Sequence, residues 1–202
     1  MTNRLIGLTG GIATGKTTVA NYLANVYSLP ILDADIYARD AVSLGSPILD
    51  AIAQRYGKKI LLPDGSLNRS QLGEIIFSHP AERQWLDSII HPYVRDRFLK
   101  AVAESSTSTI VLVIPLLFEA QMTNLVTEIW VVICSESQQL QRLIERNQLT
   151  PEQAKARINS QLSLAEKAAR ADVVLDNSST LAKLLKQVDT AVIRNGLRPA
   201  TL

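Results

Sequence analysis

Residues 4–9 read as a short buried strand that ends in a glycine turn, and residues 109–114 and 129–133 are apolar nearly throughout, without alternation. The last two runs are dense in Val and Ile, the composition of parallel strands covered on both faces. Residues 29–32 and 173–175 repeat the pattern more briefly. From residue 16 to 26, by contrast, Val19, Ala20, Leu23 and Val26 recur at helical spacing, so a helix follows the first strand. Helical segments separate the remaining strands as well. Strands alternating with helices predict an α/β fold, a three-layer parallel five-stranded sheet.

Two stretches exceed that minimal alternation. About seventy residues separate the second and third strands, longer than a usual crossover. Within them, Asn68 to Gln71 has the form of a capping box that opens a helix toward Phe77. Pro80 and Pro92 each fit the first turn of a helix. This stretch, about residues 36–104, is read as a helical insertion that forms a substrate-binding lobe. The second stretch, about residues 135–170, is an arginine-rich helical hairpin. Its first helix ends near Asn147, and Thr150-Pro151-Glu152-Gln153 supplies the cap, N1 proline and N3 glutamine of the next. Residues 1–35, 105–134 and 171–202, in round bounds, remain for the core of a single domain. The tail after Asn195 is expected to fray.

The turn after the first strand carries the chemistry. Gly10-Gly11-Ile12-Ala13-Thr14-Gly15-Lys16-Thr17 satisfies G-x-x-x-x-G-K-[ST] in full. It follows a predicted strand and opens a helix, the context that separates the motif from a chance match. Gly10 and Gly15 permit backbone conformations and close approaches that a Cβ obstructs. Successive N–H groups then turn inward as an anion nest, and the helix adds its positive end. Lys16 is placed to reach the β- and γ-phosphates of ATP, and Thr17 to offer its hydroxyl to Mg²⁺. The nucleotide-contacting run is Gly11, Ile12, Ala13, Thr14, Gly15, Lys16, Thr17 and Thr18, and the sheet is of P-loop kinase type.

Composition narrows the rest. With 47% hydrophobic and 20% charged residues the chain has the makeup of a soluble globular protein. A net charge of +2, with no block of Lys and Arg, gives no expectation of nucleic-acid or membrane binding. The lone Cys134 excludes an internal disulfide and a multi-thiolate zinc site and fits a reducing compartment. The N-terminal segment is too glycine-rich for a signal sequence, and the expected location is cytoplasmic. No pattern specifies an oligomer, so the expectation is a monomer or a weak oligomer. The N-K-x-D and D-x-x-G segments of a GTPase are absent from the sequence. No apolar run ends directly in a Walker B aspartate, since Val113-Ile114-Pro115 stands in its place. Asp33 or Asp35 is therefore the candidate helper for Mg²⁺. The rival classes are another small-molecule kinase, such as a nucleoside monophosphate kinase, and a nucleotide-driven switch.

Further segments resemble the dephospho-CoA kinase family. They are Thr9 to Ile12, Asp33-Ala34-Asp35 with Arg39, Leu72-Gly73 before Ile76-Phe77, Ile90-His91-Pro92, and Pro115-Leu116-Leu117-Phe118-Glu119. Arg142, Arg146, Arg157-Ile158 with Gln161, and Ala171-Asp172 with Asp176-Asn177 complete the set. The segments keep their order over nearly the whole chain; Ala13-Thr14 replaces the Gly-Ser that members often carry. The resemblance implies ATP-dependent phosphorylation of the ribose 3′-hydroxyl of dephospho-CoA, the last step of coenzyme A synthesis. It also implies a nucleotide core, a helical substrate lobe and a mobile helical lid.

Roles follow within that frame. Asp33 is the candidate to accept or orient the 3′-hydroxyl proton; the competing reading is a helix N-cap, a part that Asp35 can also play. Arg142 and Arg146 share a helix face. They either meet the triphosphate when the lid closes or form a solvated face paired with Glu145 or Glu152. Asn177 follows the last strand, where a nucleotide base would lie. Thr9, Asp35, Arg39, Arg69 and His91 are candidates for substrate contact, with a helix break beside Pro92 as the alternative for His91. Arg95 and Arg97 are further candidates for the substrate's pyrophosphate.

Overall fold

The computed structural model describes residues 4–193, so the frayed tail expected after Asn195 lies outside the described residues. In chain order the elements are β1 (Arg4–Gly10), α1 (Lys16–Tyr27), β2 (Ile31–Asp33), α2 (Ala34–Asp40), α3 (Pro47–Tyr56), α4 (Arg69–Ser78) and α5 (Pro80–Glu104). They continue with β3 (Thr109–Val113), β4 (Glu128–Ile133), α6 (Glu136–Asn147), α7 (Pro151–Asn159), α8 (Leu164–Ala168), β5 (Val173–Asp176) and α9 (Leu181–Ile193). The five strands form one sheet in the order β2-β3-β1-β4-β5, and the β1–β3, β1–β4 and β4–β5 ladders are parallel.

Burial explains why the strand runs do not alternate. Ile110, Val111 and Leu112 of β3 are 0%, 0% and 1% exposed, so successive residues are covered on opposite faces of the sheet. On one face Ile6, Leu8, Val111 and Trp130 pack with Val19 and Leu23 of α1 and Leu184 and Val188 of α9. Each such aliphatic contributes about 1.5–3 kcal/mol when fully buried. A polar pin reinforces the same contact: the Tyr22 and Tyr27 hydroxyls both donate to Asp189 Oδ1 at 2.8 Å. Burial first, and that carboxylate second, push both phenols above their ordinary range.

Residues Asp33–Glu104 form one compact unit and the remainder of the described chain forms the other. The helical unit has its own core of Leu49, Ile52, Ile60, Leu67, Leu72 and Leu86. Asn68 caps α4 by accepting the Gln71 N–H at 3.2 Å. Pro92, however, does not begin a helix or mark a break at His91; it lies inside the 25-residue α5. Proline forfeits one backbone hydrogen bond there, but the apolar stripe Leu86, Ile90, Val94, Phe98 continues through it at four-residue spacing. Leu86, Val94 and Phe98 are 7%, 3% and 1% exposed, and the Phe98 ring meets Tyr37 edge-on at 5.1 Å. Tertiary packing on both sides of the proline outweighs the local loss.

Candidate active site

The motif loop spans the five residues between the end of β1 and the start of α1. Gly10 has φ 147° and Gly15 φ 106°, a region closed to most side chains. A Cβ on Gly10 would run into the Val132 carbonyl, and one on Gly15 into the Asn177 amide. Ala13 also takes a positive φ, 60°, an uncommon conformation for a residue with a Cβ.

Side-chain donors hold the loop's carbonyls. Lys16 Nζ donates to Gly10 O at 3.2 Å and Gly11 O at 2.7 Å. The buried Thr14 hydroxyl adds a second bond to Gly11 O at 3.0 Å. Gln139 Nε2 donates to Ile12 O at 2.9 Å, and Asn177 Nδ2 to Thr14 O at 2.8 Å. A carbonyl facing a polyphosphate would repel it, so oxygens tied to these donors leave the amides to make the nest. At the N-terminus of α1 no side chain caps the helix, and its first turn has no acidic residue. The positive end of the twelve-residue helix is thus left for an anion. The neighbouring Thr17 and Thr18 are exposed. The Ile12 N–H itself is engaged, donating to Gln161 Oε1 at 3.0 Å.

Beside the loop stands a buried polar cluster in place of a Walker B aspartate. Thr9, fully buried, donates from Oγ1 to Pro115 O at 3.2 Å. Lys167, also 0% exposed, reaches the same carbonyl at 3.1 Å and Glu119 Oε1 at 2.9 Å. Glu119 Oε1 further accepts the Leu162 N–H at 3.0 Å. A buried ammonium needs such company, because an unpaired charge out of water is costly. Burial pushes the Cys134 thiol up, a shift that the nearby Arg142 and Lys16 charges oppose.

The hairpin helices begin as their sequences require, with reciprocal capping boxes at Ser135/Gln138 and Thr150/Gln153. Arg142 is half-buried and donates to Asn177 O at 3.3 Å. The exposed Arg146 donates from Nε to Asn147 Oδ1 at 2.9 Å. Among the described residues neither arginine pairs with Glu145 or Glu152. Sequence reasoning missed Gln139 and Lys167. A signal existed for Gln139, which occupies the same helix stripe as the buried Leu143 while being only 3% exposed itself. Lys167, in a five-residue helix, had none.

In the helical unit the cap of α2 is Asp33, not Asp35. Asp33 has the extended backbone of an N-cap, and its Oδ1 accepts the Asp35 N–H at 2.8 Å. Asp35 already lies in the first helical turn, where its backbone cannot serve as cap. Asp35, Arg39 and Arg69 come together around a cavity of about 410 Å³ floored by Val42, Leu72 and Ile76. Arg69 Nη2 also donates to Arg39 O at 3.4 Å. His91 sits apart from that lining, 3.6 Å from Asp87 one turn away on α5. The Arg97 guanidinium lies 5.3 Å from the centre of the Tyr37 ring. Among the described residues no group of three His, Cys, Asp or Glu side chains could hold a metal, and no helix is long and apolar enough to cross a membrane.

Known proteins match this arrangement over nearly its full length. A family model described as dephospho-CoA kinase covers residues 4–183. The dephospho-CoA kinase of Trichormus variabilis is 81% identical over 192 residues, 95% of this chain and 98% of that one. A crystal structure of TT1252 from Thermus thermophilus aligns with a TM-score of 0.86 at 28% identity, over 98% of this chain and 100% of the other. The dephospho-CoA kinase from Campylobacter jejuni aligns with a TM-score of 0.70 at 26% identity, over 96% and 98%. With its phosphate loop, parallel sheet and helical unit matched from residue 4 to residue 183, the chain belongs to the dephospho-CoA kinase family.

Proposed function

We propose that this protein transfers the γ-phosphoryl group of ATP to the ribose 3′-hydroxyl of dephospho-CoA, giving CoA and ADP in the cytoplasm. The observation that carries the reading is the loop between β1 and α1, its carbonyls tied to donors, in a chain matched by that family over residues 4–183. Phosphoryl transfer asks mainly for positioning and for stabilisation of charge on the migrating group. Gly11 to Thr18 cradle the polyphosphate, and Lys16 turns from the Gly10 and Gly11 carbonyls to the phosphates while the Thr14 hydroxyl keeps its hold on Gly11 O. Asp33 orients the acceptor hydroxyl with Oδ2 while Oδ1 caps α2. Arg146 and Arg142, from a hairpin that acts as a lid, meet charge developing in the transition state. Asp35, Arg39 and Arg69 hold the acceptor in the helical unit, which serves as the substrate lobe.

Mg²⁺ suits this donor set. A small hard cation takes one or two protein oxygens and fills its shell with phosphate oxygens and water. Without a ready cage of three ligands among the described residues, the protein's share is the exposed Thr17 hydroxyl; a metal contact by Asp33 is the alternative to its role on the acceptor hydroxyl. When bound, the ion neutralises phosphate charge.

The test is a coupled assay of purified protein with Mg-ATP against dephospho-CoA, AMP, CMP and shikimate. Turnover with dephospho-CoA alone is expected. Transfer to a nucleotide or to shikimate but not to dephospho-CoA would reassign the acceptor. ATP hydrolysis indifferent to all four would point to a nucleotide-driven switch.

A further inference from the structure

Primary amides from the two legs of the α6–α7 hairpin hold Ile12 at both of its backbone polar groups. Gln139, in the first turn of α6, donates Nε2–H to Ile12 O at 2.9 Å. Gln161, in the segment that leaves α7, accepts the Ile12 N–H on Oε1 at 3.0 Å. The partners are 127 and 149 residues away in sequence, so neither bond is a by-product of local chain geometry. Both legs are fastened again nearby. Gln138 Nε2 donates to Ser178 O at 3.0 Å on the α6 side. On the α7 side Leu162 N–H donates to Glu119, which is paired with the buried Lys167. The two amides are therefore anchored on both sides of Ile12.

We propose that Gln139 and Gln161 are positioning residues for phosphoryl transfer, acting through Ile12; the inference rests on the ATP-dependent kinase reading above. Together they fix the peptide units on either side of Ile12 with the carbonyl held away from the nest. They also set α6, the helix that carries Arg142 and Arg146, in register with the phosphate loop. The pair is polarised. A carboxamide has a donor end and an acceptor end, and each glutamine presents the end complementary to its target. Released from Gln139, the Ile12 carbonyl is free to turn toward the polyphosphate and oppose it.

That polarity supplies the test. Gln161→Glu keeps an oxygen for the Ile12 N–H, whereas Gln161→Leu removes it. Gln139→Glu sets a carboxylate against the Ile12 carbonyl, whereas Gln139→Leu only removes the donor. The calorimetric Kd for Mg-ATP would be measured for all four variants, with kcat, both KM values and thermal melts. The expected order is Glu better than Leu at 161 and Leu better than Glu at 139. The worst variant should lose on the order of 10-fold in ATP affinity, with the KM for dephospho-CoA held within about twofold. A simple charge effect on the polyphosphate would make Glu worse at both positions, and a packing effect would move ATP affinity in step with melting temperature. Either result, or unchanged ATP affinity in all four variants, overturns the proposal. Should Gln139→Glu fail to fold, the pair at the half-buried Gln161 decides alone. Wild-type protein that binds Mg-ATP without phosphorylating dephospho-CoA would refute the kinase reading separately, and the order of ATP affinities would still be readable.

Discussion

The phosphate loop and the cavity of the helical unit are built from opposite materials. In the loop the working groups are main-chain amides with one ammonium, Lys16, and the other side chains serve to hold carbonyls: Thr14 on Gly11, Gln139 on Ile12, Asn177 on Thr14. In the cavity the polar groups are exposed side chains, Asp35, Arg39 and Arg69, around an apolar floor. A backbone site is set before its ligand arrives and forfeits little entropy on binding. A rim of long exposed arginines must be ordered by the ligand, and salt screens its charges. Substitutions should therefore act steeply on turnover in the first region and shallowly, with salt dependence, on acceptor affinity in the second.

Lys16→Ala is the severest way to sharpen that contrast. It removes the cation that the loop supplies to the polyphosphate, and kcat/KM for ATP should fall on the order of 10³-fold. Steady-state kinetics checks this, and a loss of less than tenfold would mean that the amides alone carry the site.

Asp33 could break the contrast, because it lies in the helical unit yet is expected to behave like the loop. Asn caps a helix about as well as Asp. Asp33→Asn should therefore leave the melting temperature and the Kd for Mg-ATP unchanged while lowering kcat roughly 10²-fold. Asp33→Ala should add a loss of about 1 kcal/mol of stability through the missing cap. Full activity in Asp33→Asn would reduce the residue to its cap; lost Mg-ATP affinity would give it to the metal instead.

The same division decides what could be read from the amino-acid order. The loop was legible because its backbone geometry demands glycine at fixed spacing, and Gly10 and Gly15 occupy the conformations that the motif requires. The central strands β1, β3 and β4 were legible because burial on both faces leaves apolar runs that do not alternate. Capping boxes at Thr150/Gln153 and the cap at Asn68 are local rules and were visible as such. The supports of the loop were not visible as supports. Gln139 and Asn177 act across 127 and 163 residues, and Lys167 meets Glu119 and Pro115 from elsewhere in the chain. The place of Gln139 one turn before Leu143 on α6 hints at its burial, but pairings so distant leave no periodic trace of the partner. Pro92 misled for a related reason, since local chemistry argued for a helix start while the stripe from Leu86 to Phe98 carried α5 through it.

For the rim of the cavity, Arg69→Ala should raise the KM for dephospho-CoA about 3- to 10-fold with kcat nearly unchanged. The increase should shrink as salt rises from about 0.05 to about 0.5 M, over which the screening length falls roughly threefold. A fall in kcat at constant KM would place Arg69 with the loop residues rather than on a binding rim.

The smallest effect concerns how the helical unit is held rather than what it binds. Arg55 grips Glu82 through Nε at 2.6 Å and Nη2 at 2.9 Å, and the Tyr56 hydroxyl donates to the same carboxylate at 2.6 Å. The Arg55 guanidinium first, and the Tyr56 hydroxyl second, lower the Glu82 carboxyl from 4.5 to about 2. A carboxyl whose proton affinity is lowered by folding stabilises the folded state above its ordinary value. That contribution fades as pH falls from 4.5 toward about 2 and the group becomes protonated in the folded state too. Thermal melts of wild type and Glu82→Gln should thus differ modestly at neutral pH and converge in acid, since surface pairs are weak to begin with. Wild type should lose stability more steeply than the variant across that window while turnover at neutral pH stays the same. Curves that run parallel down to pH 2 would mean that the Arg55–Glu82 contact adds nothing to the fold. A turnover defect in Glu82→Gln would mean that this surface knot, and not only the cavity rim, shapes the acceptor site.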